Sequence, residues 1–242
     1  MARAPIVALE EVDSTNAEAR RRVEAGEAGP LWITAGRQSA GRGRRGRAWE
    51  TGAGNLAATY LFTTALRPAE AAQVSFVAAL AVADLASAFI PASLVSLKWP
   101  NDLMLAGRKG AGILVESGAA QSQPLWVAVG VGVNLATAPE APDRPATTFA
   151  AHMRAPPPAP LDALAVLAEA LERWRQTWER VGFGPIAEAW TQRAHGIGER
   201  CVARLSDETL EGIAEGLDGD GALRLRTASG EVRRITAGDV FF

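Results

Sequence analysis

The spacing of apolar residues changes once along this 242-residue chain, at His195-Gly196-Ile197-Gly198, and one packed layer cannot serve both patterns. Before that hinge, short strand-forming runs alternate with stretches whose apolar residues recur every three or four positions. After it come only short alternating segments, at 200–205, 209–217, 222–227 and 231–235, separated by Asp218-Gly219-Asp220-Gly221 and Ala228-Ser229-Gly230. The chain therefore divides into residues 1–195, a mixed β-sheet flanked by helices, and residues 196–242, a small β-barrel: an α+β protein.

Within the first part, residues 6–9 read as a strand, and Asp13-Ser14-Thr15-Asn16 supplies N-cap chemistry for a helix to about residue 25. Strands follow at 31–34 and 55–62, separated by a long Gly- and Arg-rich loop at 38–54. Pro68 opens a helix to residue 87. A strand at 94–99 stops at Pro100-Asn101-Asp102, and two β segments, 112–116 and 125–135, form a hairpin around the polar turn 117–124. Residues 137–160, rich in Ala and Pro, read as loop. The stripe Leu164, Leu167, Leu171, Trp174, Trp178 is a core-facing helix side that gives neither Trp a ligand role, and a short helix covers 185–193.

A net charge of −2 and a pI near 5.8 give no global attraction to nucleic acid or anionic membranes, so anion binding has to be local. The longest all-apolar run, 76–83, is well short of a membrane span, and the apolar residues before Glu10 are too few for a signal-peptide core. A cytoplasmic protein with no membrane partner is expected. The single Cys201 has no CxxC neighbour and reads as structural.

Lysine is scarce: of 25 basic residues only Lys98 and Lys109 are lysines. A compact ammonium is chemically distinct from a planar guanidinium, so the lysines that remain mark candidate positions where only the former fits. Lys98 ends a β-run between Leu97 and Trp99, where a rigid strand delivers a side chain into a site. A point cation there can bridge a carboxylate and a phosphate and stabilise charge as the carboxylate attacks phosphorus. Lys109, in the exposed-looking turn Ala106-Gly107-Arg108-Lys109-Gly110, reads equally well as a surface lysine.

Gly41-Arg42-Gly43-Arg44-Arg45-Gly46 formally matches GxGxxG. The dinucleotide reading fails on context: Arg47, Trp49 and another loop follow where a helix should start, and no acid ends a strand about twenty residues on. What the loop does carry is Arg37, Arg42, Arg44, Arg45 and Arg47 with no acid among them. Two unit charges about 4 Å apart interact by roughly 4 kcal/mol at an effective dielectric near 20, so such a cluster offsets the crowding of a carboxylate against a triphosphate. The glycines let backbone amides approach the same anion and leave the loop free to move in an empty site. The alternative, a solvated basic patch or a nucleic-acid contact, lacks the interleaved aromatics that stack bases; only Trp49 is near.

Four segments then stand in order: Asp13-Ser14-Thr15-Asn16; Gln38-Ser39-Ala40-Gly41-Arg42-Gly43-Arg44-Arg45-Gly46-Arg47-Ala48-Trp49; Lys98-Trp99-Pro100-Asn101-Asp102 with Gly112-Ile113-Leu114-Val115-Glu116; and Val129-Gly130-Val131-Gly132-Val133-Asn134. Together they resemble the biotin–protein ligase family, in the form without an N-terminal DNA-binding domain. The resemblance implies a class II synthetase-like catalytic domain with an SH3-like C-terminal domain. It also implies a two-step reaction, in which biotin and ATP give biotinyl-5'-AMP and pyrophosphate, and an acceptor lysine then takes the biotin. That amine must lose a proton, since with a free pKa near 10.4 only about one in a thousand is neutral near pH 7.4.

By that resemblance Ser14, Thr15 and Gln38 hold the biotin ureido ring, with Asn16 in the same biotin site, Arg42 and Arg44 close over biotin and the adenylate phosphate, and Trp49 shields the biotin tail. Gly41, Gly43, Gly112, Ile113 and Leu114 complete the biotin site. Arg47, Asn101, Gly132 and Asn134 join Arg42, Arg44 and Trp49 around ATP. Lys98 and Arg44 are the catalytic pair. Mg²⁺ comes with ATP, held by phosphates and water, so no protein metal ligands are expected. The implied partner is the biotin carboxyl carrier protein domain of an acyl-CoA carboxylase, met by a monomer or homodimer that binds no nucleic acid. An adenine-covering loop would fall within 137–149, where Phe149 is the one aromatic. A lipoate- or octanoyl-transferring relative and a non-catalytic biotin-binding module are the rival readings.

Overall fold

The computed structural model describes residues 4–119, 124–140 and 145–242. Two sheets carry the chain. The larger has seven strands: β1 (Ile6–Val12), β2 (Leu31–Gln38), β3 (Leu56–Thr64), β4 (Val95–Lys98), β5 (Asp102–Leu105), β6 (Arg108–Gly118) and β7 (Leu125–Val133), in the order β1-β2-β3-β7-β6-β5-β4. Only β1 and β2 pair parallel; the rest of the sheet is antiparallel. The α+β class expected from the sequence is the fold found.

Strict alternation along β7 assigns its two faces. Val127, Val129, Val131 and Val133 join the main core beneath helices α3 (Val74–Ser87) and α4 (Pro160–Val181), while Ala128 joins a small core with Ala19 and Val23 of α1 (Thr15–Glu24). Gly130 and Gly132 share the face of Ala128, and the candidate site lies there. The continuous helix expected at 68–87 is broken into a single turn, α2 (Pro68–Ala71), and α3. This segment is long and apolar enough to cross a bilayer by composition, but it is mostly packed inside the protein. In α4, Leu164, Leu167, Leu171 and Trp178 are buried as the stripe predicts, and α5 (Gly184–Thr191) completes the layer.

The second sheet is antiparallel, in the order β11-β10-β9-β8-β12, from β8 (Arg200–Arg204), β9 (Thr209–Leu217), β10 (Leu223–Thr227), β11 (Val232–Ile235) and β12 (Asp239–Phe241). Its inner face is continuous with the main core, and Trp99 donates its indole N–H to the Gly221 carbonyl at 3.1 Å. Two strands lie outside the expected set, β5 and β12. Both are very short, and β5 begins inside the Pro-Asn-Asp stretch that reads as a turn. Of the turn expected at 117–124, residues 120–123 lie outside the described residues.

The first site motif is tethered by Asp13, whose carboxylate accepts from Arg21 at 2.9 and 2.7 Å and from the Ser14 backbone N–H at 2.8 Å. The guanidinium holds this carboxyl down at about 2, below its ordinary 3.8. The folded value lies below the unfolded one, so the tether contributes fully above about pH 4 and is lost as pH falls through 2. A carbon-detected NMR titration is expected to put the Asp13 midpoint near 2, and a midpoint at 3.8 would contradict the tether.

Candidate active site

The strand register builds a row across five strands of the large sheet. Lys98 stands opposite Asp102, Asp102 opposite Gly112, Gly112 opposite Gly132, and Gly132 opposite Ala57. Directly opposed residues of antiparallel strands share a face, so this row runs from a cation at the β4 end to a glycine floor in the middle. A cavity of about 510 Å³ lies over it. The glycines are required by contact: a Cβ on Gly132 would lie 2.2 Å from the Trp49 indole, and one on Gly130 would lie 2.4 Å from Asn16 Oδ1.

One end of the cavity is neutral and polar. Ser14, Thr15 and Asn16, at the start of α1, are all buried. The Gln38 side-chain carbonyl accepts from the Thr15 backbone N–H at 2.8 Å and from its hydroxyl at 3.2 Å. Thr59 reaches Asn16 Oδ1 at 2.7 Å, and the Asn16 amide donates to Glu116 at 2.7 Å and to the Leu114 carbonyl at 3.2 Å. Such a set offers donors and acceptors without net positive charge, which suits an uncharged amide-like ring.

The other end is cationic. Lys109 Nζ sits 2.7 Å from Asp102 Oδ1 and 5.5 Å from the Trp49 ring centroid. The arginine loop folds into a small hairpin, with a bridge between Arg42 and Ala48, and Arg45 at its tip takes a left-handed φ of 56°. Arg44, partly buried, donates to Asn101 Oδ1 at 3.1 Å and to the Gly238 carbonyl at 3.2 Å. Burial pulls this guanidinium below its ordinary value, opposed by Asp239 and Asp102. Arg45 and Arg47 both pair with Asp239 of β12, and Arg42 lies 3.5 Å from Glu116. These contacts join the arginine loop to the second sheet.

Of the residues chosen from the sequence, Ser14, Thr15, Asn16, Gln38, Arg42, Gly43, Arg44, Arg47, Trp49, Lys98, Asn101, Gly112, Ile113, Leu114, Gly132 and Asn134 all line this one cavity. Gly41 does not: its carbonyl accepts from the Trp49 N–H at 2.9 Å, and a Cβ there would lie 2.2 Å from the Trp49 carbonyl, so it closes the base of the loop. Ile113 turns its side chain into the core and gives the cavity backbone, its carbonyl accepting from the Asn101 amide. Phe149 is fully buried and does not line the cavity; residues 141–144 of the loop expected to cover adenine lie outside the described residues. Sequence reasoning left Lys109 undecided and passed over Asp239, Phe241 and Phe242, which also line the cavity. The scarcity of lysine was the one signal able to pick out Lys109.

Residues 9–134 match the Biotin/lipoate A/B protein ligase family, and residues 196–242 match the Biotin protein ligase C terminal domain. The chain is 44% identical, over 97% of its own length and 99% of the relative's, to the biotin–[acetyl-CoA-carboxylase] ligase of Paracoccus denitrificans. Among solved structures it is similar to the biotin protein ligase of Aquifex aeolicus in complex with biotin and ATP, at a TM-score of 0.80 and 25% identity over 98% of this chain and 97% of that one. It is also similar to the Leishmania major enzyme in complex with biotinyl-5-AMP, at a TM-score of 0.68 and 26% identity, covering 96% of this chain and 99% of that one.

Proposed function

Because the chain belongs to the biotin protein ligase family, whose members activate biotin with ATP and pass it to a carboxylase lysine, we propose a division of labour within its cavity. The observation that carries it is the polarity of the cavity, neutral and hydrogen-bonding at Thr15, Asn16 and Gln38 and cationic at Lys98, Lys109 and the arginine loop. Biotin has the same polarity, an uncharged ureido ring and a carboxylate tail. In this orientation Ser14, Thr15, Asn16 and Gln38 take the ring, the bare strands at Gly112 and Gly132 seat the Trp49 indole that covers the bicycle, and the carboxylate points to the lysines.

The carboxylate oxygen attacks the α-phosphorus of ATP, a P–O bond to the β-phosphate breaks, and pyrophosphate leaves with the electron pair. Negative charge concentrates on the α-phosphoryl oxygens, where Lys98 and Lys109 offset it and Arg42, Arg44 and Arg47 hold the nucleotide. Asn101 and Asn134 complete the nucleotide side. In the second step an acceptor lysine nitrogen attacks the acyl carbon, AMP departs with the electron pair, and the amine proton is lost. Among the described residues no three His, Cys, Asp or Glu side chains converge on one point, and Asp102 is taken by Lys109. A Mg²⁺ ion accompanying ATP would be held largely by phosphate oxygens and water, and would supply further charge neutralisation. The acceptor is the biotin carboxyl carrier domain of an acyl-CoA carboxylase. Residues 1–195 form the catalytic unit and residues 196–242 the unit that closes it.

The test is incubation with ATP, a carrier domain and labelled biotin, run in parallel with lipoate and octanoate. Biotin-dependent pyrophosphate release and labelling of one carrier lysine are expected. Release driven by lipoate or octanoate but not biotin would favour the rival transferase, and binding of biotin without any release would favour a non-catalytic module.

A further inference from the structure

The second sheet brings two aromatic rings to the cavity lysine. In β12, Val240 packs into the core at 3% exposure, so its neighbours Asp239 and Phe241 project together from the opposite side. That side faces the large sheet. Lys98 Nζ lies 5.6 Å from the centroid of Phe241 and 6.0 Å from that of Phe242. Both are within the range at which an ammonium is attracted by the negative face of an aromatic ring.

Each ring is itself held. Arg204 of β8 stands opposite Asp239 in the register and places its guanidinium carbon 4.6 Å from the Phe241 centroid. Phe242 meets the His195 ring edge to face at 5.5 Å and lies over Gly196, where a Cβ would come within 2.2 Å of it. Gly196 also has a φ of +76°, so both its conformation and its lack of a side chain make the seat for this ring.

We propose that Phe241, seconded by Phe242, is a positioning residue for the adenylation step, holding the Lys98 ammonium over the cavity by its ring face. The inference rests on the reading that Lys98 meets the acyl and phosphoryl oxygens. A ring face attracts an ammonium without presenting an anion that competes with phosphate, so the cation is fixed in place and its charge still acts on the reacting atoms. Lys109 has the Asp102 carboxylate at 2.7 Å and a ring of its own, Trp49, at 5.5 Å. Both lysines thus meet aromatic rings, and the Phe241 ring that meets Lys98 comes from the second sheet.

The experiment compares Phe241→Leu, which keeps the apolar volume and removes the π face, with Phe241→Tyr, which keeps the face. The readout is biotin-dependent ATP–pyrophosphate exchange by the full chain. Phe241→Leu is expected to lower kcat by roughly two- to thirtyfold, the span of one cation–π contact, with KM for biotin little changed. Phe241→Tyr is expected to recover most of that loss, and Phe241→Leu to add nothing in a Lys98→Ala background. Should Phe241→Leu fail to fold, as judged by thermal unfolding, Phe242→Leu and Phe242→Tyr give the same comparison with a smaller effect. Exchange undisturbed by leucine, or lowered equally by leucine and tyrosine, would overturn the clamp alone. Exchange undisturbed by Lys98→Ala by itself would overturn the reading beneath it as well.

Discussion

Lys98→Ala is expected to slow biotin-dependent ATP–pyrophosphate exchange by about 10²–10³-fold, the usual cost of deleting one preorganised charge stabiliser. The register explains why no neighbour can substitute. Lys98 is the last residue of β4 and stands opposite Asp102, at the end of the row that continues through Gly112 and Gly132. Lys109 approaches the same Asp102 from the start of β6 and is paired with it at 2.7 Å, so covering the vacated position would cost it that partner. The Lys98 side chain is only partly buried and its stem contributes little to the core, so the unfolding midpoint should move by only a few degrees. Exchange within a few-fold of the parent, in a folded variant, would remove Lys98 from the chemistry.

Gly132→Val is expected to weaken biotin binding by roughly 5- to 150-fold, corresponding to the ~1–3 kcal/mol typical of overpacking a filled site. The first added carbon alone would lie 2.2 Å from Trp49 Cε2 and 2.4 Å from its Nε1. Strand β7 is central in the seven-stranded sheet, bonded to β3 on one side and β6 on the other, and cannot give way. Trp49 stands on a loop, so it is the partner that moves, and the floor loses its cover. Calorimetric titration with biotin, together with indole fluorescence, checks both halves of the expectation. Parental affinity with an unshifted indole would show that the glycine floor is not the biotin seat.

Much of this site is legible in the amino-acid sequence because its chemistry is local in sequence. Lys98 stood out as a rare ammonium on a strand end, and the alternation Val129-Gly130-Val131-Gly132 wrote a bare face directly into one strand. The polar end was equally visible, since Ser14, Thr15 and Asn16 are consecutive at one helix start. Lys109 was not, because its role depends on β5, a four-residue strand hidden behind turn formers, and on the irregular register between Leu103 and Met104 that precedes it. Asp239 was invisible for another reason: it meets Arg47 across 192 residues of chain, and no periodicity or spacing encodes a contact that only the docking of two sheets creates. Gly41 shows the opposite hazard, a residue inside a functional motif whose own work is to close the loop.

The cavity is shared property. Its floor and lysines belong to one sheet, while Gly238, Asp239 and Phe241, which grip Arg44, Arg45, Arg47 and Lys98, belong to the other. Exchanging the last fifty or so residues between two relatives is therefore no neutral graft of an accessory module: it resets the pose of four cations at once, and a chimera has to be judged as a multiple active-site mutant.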